Sequence, residues 1–207
     1  MSFVDIPASH GRLEGLFWQV ENPVGAALVC HPHPMHGGTM HNHITYRMAQ
    51  AFRDRRISAL RFNFRGVGRS TGTYDDGRGE VTDAKEALDF LQRSQPGVPL
   101  YVGGFSFGCR TGLQLTIQDE RVERMLAVGL GVDVFDVEFV TQLRKRTAFI
   151  HADRDEYGTL KHLRALLERV PGPTQLFELA NSDHLATGRL DAFSAVAATA
   201  LDWLLAK

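Results

Sequence analysis

The segment Gly104-Phe105-Ser106-Phe107-Gly108 sets a serine between two glycines in G-x-S-x-G spacing. A serine hydroxyl is a poor nucleophile until a base takes its proton, and it must project clear of the backbone to attack anything. Just before it runs Leu100–Phe105, apolar and rich in strand formers; just after it, Cys109–Ile117 has a helical pattern. A sharp strand-to-helix turn at Ser106 holds that residue in a strained conformation with its oxygen above the sheet edge. Glycines on either side remove the Cβ atoms that would collide across the turn. The Phe107 N–H, at the start of the helix, then points at a bound carbonyl oxygen, and Gly112 lets the helix approach the strand closely. The plain alternative is a glycine-rich turn with a capping serine. In a chain with 20 glycines the bare spacing says little, and it is the flanking strand and helix that favour chemistry.

A reactive serine needs a base, and the base needs a carboxylate to orient it; on a strand-to-helix turn of this kind they follow in the order Ser, Asp or Glu, His. Three histidines lie beyond Ser106: His151, His162 and His184. His162 falls inside a helical pattern and reads as a surface residue. His151 ends a strand before any suitable acid. His184 follows the last strand through the polar loop Ala180-Asn181-Ser182-Asp183, where a mobile loop could bring it over the serine. The acid is expected after the preceding strand, in His151-Ala152-Asp153-Arg154-Asp155-Glu156. Asp155 is preferred, Asp153 is its rival, and Asp133 is a more distant third. Forty-nine residues separate Ser106 from Asp155 and 29 separate Asp155 from His184, each room for a strand and a helix.

The loop His31-Pro32-His33-Pro34-Met35-His36-Gly37-Gly38, continuing to His41 and His43, holds five histidines in thirteen residues. Imidazole is a common metal ligand, but the loop has no helical spacing and no carboxylate, and its only cysteine, Cys30, belongs to a buried strand pattern. No metal is expected. A second amide donor for a developing oxyanion is the better use of the loop. Pro32 and Pro34 lack an N–H, so His33 is the best-placed amide. Arg65-Gly66-Val67-Gly68-Arg69-Ser70-Thr71-Gly72 half resembles a dinucleotide-binding turn, but Thr71 stands where the third glycine should be. The next helical pattern begins only near Val81, too far on to meet a phosphate. It reads as a structural turn with Arg65 or Arg69 paired to a carboxylate, and no cofactor is expected.

These groups need a frame. Apolar runs at Leu13–Val20, Ala26–Cys30, Ser58–Phe64, Leu100–Phe105, Met125–Leu130, Thr147–Ile150 and Thr174–Leu179 alternate with helical stripes. The stripes are Ile44 to Phe52, Ala84 to Leu91, Leu160 to Val170 and Phe193 to Leu204. Several runs are apolar on both faces, as suits strands covered on both sides. The alternation predicts a mostly parallel sheet with helices on both faces, and chemistry in the loops beyond the strands' carboxyl ends.

The chain has 207 residues, which fits one domain spanning 1–207. With 43% hydrophobic residues it can build a core, and a net charge of -1 offers no field for nucleic acid or anionic membrane. No apolar stretch is long enough to span a bilayer, the first residues lack a secretory pattern, and two cysteines make no disulfide framework. The expectation is a cytoplasmic protein acting on a small molecule; nothing marks an oligomeric state.

The His31-Pro32-His33-Pro34…Gly37-Gly38 loop, the segment Phe62-Asn63-Phe64-Arg65-Gly66-Val67-Gly68-Arg69-Ser70 and Gly104-Phe105-Ser106-Phe107-Gly108 together resemble the α/β-hydrolase superfamily over essentially the whole chain. Within it they look like small bacterial dienelactone-hydrolase-like or serine-aminopeptidase-like esterases. The resemblance implies a single-domain α/β-hydrolase fold and a serine hydrolase cleaving an ester or related acyl bond. Ser106 is then the nucleophile, His184 the base and Asp155 the acid, with oxyanion donors at Phe107 and near His33. Asp155 matches the aspartate of the family's His-Gly-x-x-Asp pattern, with Ala152 in place of the glycine. Larger relatives insert a lid where this chain has only the 16 residues Gly131–Arg146, so an open site with no substantial lid is expected. The contrasting readings are a silent hydrolase-fold binding module and a metal-dependent site on the histidine loop.

Overall fold

The central strands are too apolar to face water on either side, so the chain layers its helices over both faces of the sheet. The computed structural model describes residues 1–206. β1 (Ser2–Ala8) and β2 (Gly11–Trp18) form a hairpin, followed by β3 (Gly25–Cys30), α1 (His43–Arg53) and β4 (Ile57–Phe62). Next come α2 (Arg78–Ser94), β5 (Leu100–Phe105), α3 (Phe107–Gln118) and β6 (Val122–Val128). β7 (Arg146–Ala152), α4 (Leu160–Leu167), β8 (Thr174–Leu179) and α5 (Leu190–Leu205) complete it. The eight strands lie in the order β1-β2-β4-β3-β5-β6-β7-β8. β1 and β2 pair antiparallel, as do β2 and β4; all other pairs are parallel.

Alternate residues of the central strands feed two cores. Leu28, Val102 and Phe149 point to the face covered by α2, α3 and α4, against Leu88, Leu113 and Leu163. Ala27, Val29 and Ile150 point to the face covered by α1 and α5, against Met48, Phe52, Phe193 and Leu201. All six residues of β3, β4 and β5 are buried. Each fully buried Leu or Phe is worth roughly 1.5–3 kcal/mol of transfer free energy. α3 lies close on β5 and β6 because Gly112 has no Cβ: one there would sit 2.9 Å from Met125 and 3.0 Å from Val102. α1 is capped by Asn42, whose side chain accepts from the amides of Ile44 and Thr45.

The mostly parallel sheet flanked by helices matches the sequence reading, with local differences. β1 carries no apolar run: only Ile6 is buried, and Pro7 sits in a strand that forms the sheet edge. α2 starts at Arg78, before Val81, because the buried Glu80 reaches back to the Gly77 amide at 2.8 Å. α4 ends at Leu167, and Val170 packs on the core beyond it.

The second glycine-rich stretch is clamped by the chain itself. The Glu14 carboxylate accepts from Asn63 Nδ2 and the Arg69 amide, both at 2.9 Å. Gly68, at φ 56°, leaves no space for a Cβ beside that carboxylate. Arg65 holds the fully buried Asp83 at 2.7 and 3.0 Å, and His10 Nε2 meets the same carboxylate at 2.9 Å. Arg65 thus pairs to a carboxylate of the chain, as a structural turn requires.

Candidate active site

Ser106 stands between β5 and α3 at φ 56° and ψ −117°. A non-glycine residue in that region costs on the order of 1–3 kcal/mol and persists only where its surroundings enforce it. They do so here. A Cβ on Gly104 would lie 2.2 Å from the Gly108 carbonyl oxygen, and one on Gly108 would lie 2.4 Å from the His31 oxygen. Ser106 N–H donates to Val128 O at 2.9 Å, and its own carbonyl accepts from the amides of Cys109 and Arg110. The strained turn is therefore tied to β6 on one side and to the first turn of α3 on the other.

Asp155 lies beyond β7, buried. Its Oδ1 accepts from the Tyr157 amide at 2.9 Å, and its Oδ2 accepts from His184 Nδ1 at 2.7 Å. Beneath it, His151 donates from Nε2 to Gly158 O at 2.6 Å and lies 3.7 Å from Asp155 Oδ2, closing the turn that carries the acid. With Nδ1 engaged, Nε2 is the free nitrogen of the His184 ring. That ring packs 4.9 Å from the ring of Phe105, the residue before Ser106, and 4.7 Å from that of Tyr157. A Cβ on Gly129 would come within 3.1 Å of it. Ser106 and His184 line one cleft of about 580 Å³, inside the range of small-molecule sites (roughly 300–1,000 Å³).

The rival carboxylates have other work. Asp153 accepts from the amides of Asn181 and Ser182 at 2.9 and 3.0 Å, and these amides hold its carboxyl below the usual carboxylate range. Asp133 pairs with the exposed His162 at 2.5 Å and caps Thr159 N–H at 2.8 Å. The loop carrying His184 is tied down at two points: Asp153 holds its start, and Glu156 accepts the His184 amide at 3.2 Å.

The histidine loop does not gather its imidazoles on one point. His31 is fully buried, with Nδ1–H donating to Pro32 O at 2.6 Å and Nε2 accepting from the Phe64 amide at 3.1 Å. Burial brings its pKa down to about 4. His33 and His36 stack with ring centres 4.4 Å apart, and His33 Nδ1 accepts from the Met35 amide. A Cβ on Gly38 would meet Pro32 O at 2.1 Å, so the loop folds back tightly beside Ser106. No protein acceptor takes the N–H of Phe107 or of His33 among the described residues.

Comparison with known proteins places this geometry. A putative α/β hydrolase from Agrobacterium tumefaciens, of unknown function, is 31% identical, with 97% of this chain and 95% of that chain covered at a TM-score of 0.91. The chain belongs to the α/β-hydrolase superfamily. The serine aminopeptidase (S33) family model matches residues 32–134 of this α/β hydrolase, a span that holds the histidine loop from Pro32 on and Ser106 but ends before Asp155 and His184. An α/β serine hydrolase homologue from Coxiella burnetii is 27% identical over 97% of both chains, with a TM-score of 0.89. A serine hydrolase without a lid from Xanthomonas campestris is 26% identical over 100% of this chain and 96% of that chain, with a TM-score of 0.90. An uncharacterised protein of Rickettsia prowazekii is 34% identical over 166 residues, 78% of this chain and 70% of that one. Among the described residues of this hydrolase, no helix is long and apolar enough to cross a membrane.

Sequence reasoning did not single out Phe135, Tyr157, Val134 or Leu185, all of which line the cleft. Each lies in a loop just past a strand, and three of them are large apolar side chains left exposed: Val134 at 55%, Tyr157 at 44% and Leu185 at 56%. Exposure is the signal that marks them, and exposure is not written in local sequence.

Proposed function

We propose that the chain is a serine hydrolase that cleaves a carboxylic ester or related acyl bond of a small molecule. The supporting observation is the buried Asp155–His184 hydrogen bond at 2.7 Å, which leaves Nε2 free on an imidazole that lines the same cleft as the strained Ser106. His184 Nε2 takes the Ser106 proton as the oxygen attacks the acyl carbon. The Phe107 and His33 amides stabilise the oxyanion, the imidazolium hands its proton to the leaving alcohol, and water repeats the sequence on the acyl-enzyme. Asp155 fixes Nδ1–H and stabilises the imidazolium without itself accepting the proton.

Replacing Ser106 by Ala tests the reading. Turnover of p-nitrophenyl acetate is expected to fall by about a thousandfold or more with thermal stability retained. Hydrolysis at the parental rate by the folded variant would overturn it.

A further inference from the structure

The cleft around Ser106 carries more than a nucleophile. Among its described lining residues there is no Lys, Arg, Asp or Glu. Its polar side chains are Ser106, Asn42, the Tyr157 phenol and three imidazoles, His33, His36 and His184; the remainder is aliphatic and aromatic carbon. A carboxylate entering it would lose hydration without meeting a Lys or Arg, and that is costly.

The rings are also arranged. In the sheet, β3 lies on one flank of β5, and β6, β7 and β8 lie on the other. From the β3 flank come His33 and His36, stacked at an interplanar angle of 18°, with His36 exposed and so offering a flat face to an incoming group. His33 in turn packs on Phe107 at 4.9 Å, and Phe107 on Phe135 at 6.5 Å. From the other flank come Phe135 and Val134, after β6, and Tyr157, after β7 and packed on His184. Ring surface thus lines the cleft that holds Ser106 from both flanks of β5. Aromatic faces and edges attract a guest that is itself a ring beyond the area it buries. The exposed Val134, Tyr157 and Leu185 form an apolar rim of the kind that marks a binding surface.

We infer that the substrate is an uncharged ester whose acyl group carries a planar aromatic ring, seated against the His33–His36 stack and Phe135 while the carbonyl meets Ser106. This rests on the serine-hydrolase reading above and narrows it. Monoesters of dicarboxylic acids are disfavoured by the same lining, which holds no Lys or Arg to receive the second carboxylate.

The test holds the leaving group constant as methanol and follows acid release by pH-stat titration. Methyl 3-phenylpropanoate is compared with methyl hexanoate and with monomethyl succinate, for the parent chain and for Phe135→Ala. The expected kcat/KM for the ring ester exceeds that for hexanoate by about fivefold or more, and that for the charged monoester by about a hundredfold or more. Phe135→Ala is expected to shrink the ring-to-hexanoate ratio toward one. Labelling of Ser106 by a fluorophosphonate, run on the same preparation, separates two kinds of failure. If Ser106 is labelled but the order is flat or reversed, or the ring ester is not turned over, this inference is overturned and the serine-hydrolase reading stands. If Ser106 is not labelled and no ester turns over, both are overturned.

Discussion

Two aspartates compete for the acid's place in the loop after β7, and hydrogen bonds separate them. Asp155 spends one oxygen on the Tyr157 amide and the other on His184. Asp153 spends both on the amides of Asn181 and Ser182. Asp155→Asn is therefore expected to lower kcat by about a thousandfold or more, because the amide cannot hold the Nδ1–H tautomer. Asp153→Asn is expected to cost less than about tenfold, since it loosens only the start of the histidine's loop. Steady-state kinetics of the two variants side by side check this, and a larger loss for Asp153→Asn would reverse the assignment.

At the scale of elements, the turn around Ser106 depends on backbone approaches that only glycine permits. Gly104→Ala, whose Cβ would meet the Gly108 carbonyl oxygen at 2.2 Å, is expected to destabilise by about 3 kcal/mol or more in chemical denaturation. Gly37→Ala is the contrast. A Cβ there meets nothing within 4 Å, so only its φ of 78° is penalised, by about 1–2 kcal/mol. Equal losses at the two positions would contradict the packing account. These elements were largely legible in sequence: β5 and β8 fall on the bounds that their apolar runs predict, and Ser106, Asp155 and His184 each sit just past a strand. Strand β1 was not legible, because an edge strand with one buried residue leaves no apolar run. The pinning of the His184 loop was hidden too, since the bonds from Asp153 and Glu156 span 29 and 28 residues and no local pattern encodes them.

For the molecule as a whole, His31 links the site to acid stability. It lies under the loop, fully buried, accepting the Phe64 amide through Nε2 in its neutral form. Its pKa is lowered from 6.5 to about 4 by burial. The unfolded chain therefore binds more protons between those values, and the stabilisation present above pH 6.5 is lost as pH falls toward 4, by roughly 3 kcal/mol. Urea midpoints measured across that window should fall with pH in the parent chain. In His31→Gln they should be lower at pH 7 and flatter below it; a His31→Gln profile as steep as the parent's would place the acid sensitivity elsewhere.

The central claim is that Ser106 is chemically activated by its neighbours, and intact-protein mass spectrometry with a fluorophosphonate measures that directly. The predicted result is one adduct, mapped to Ser106, absent in Ser106→Ala and formed much more slowly in His184→Ala. No adduct on the folded parent chain, or an adduct that survives Ser106→Ala, would contradict it.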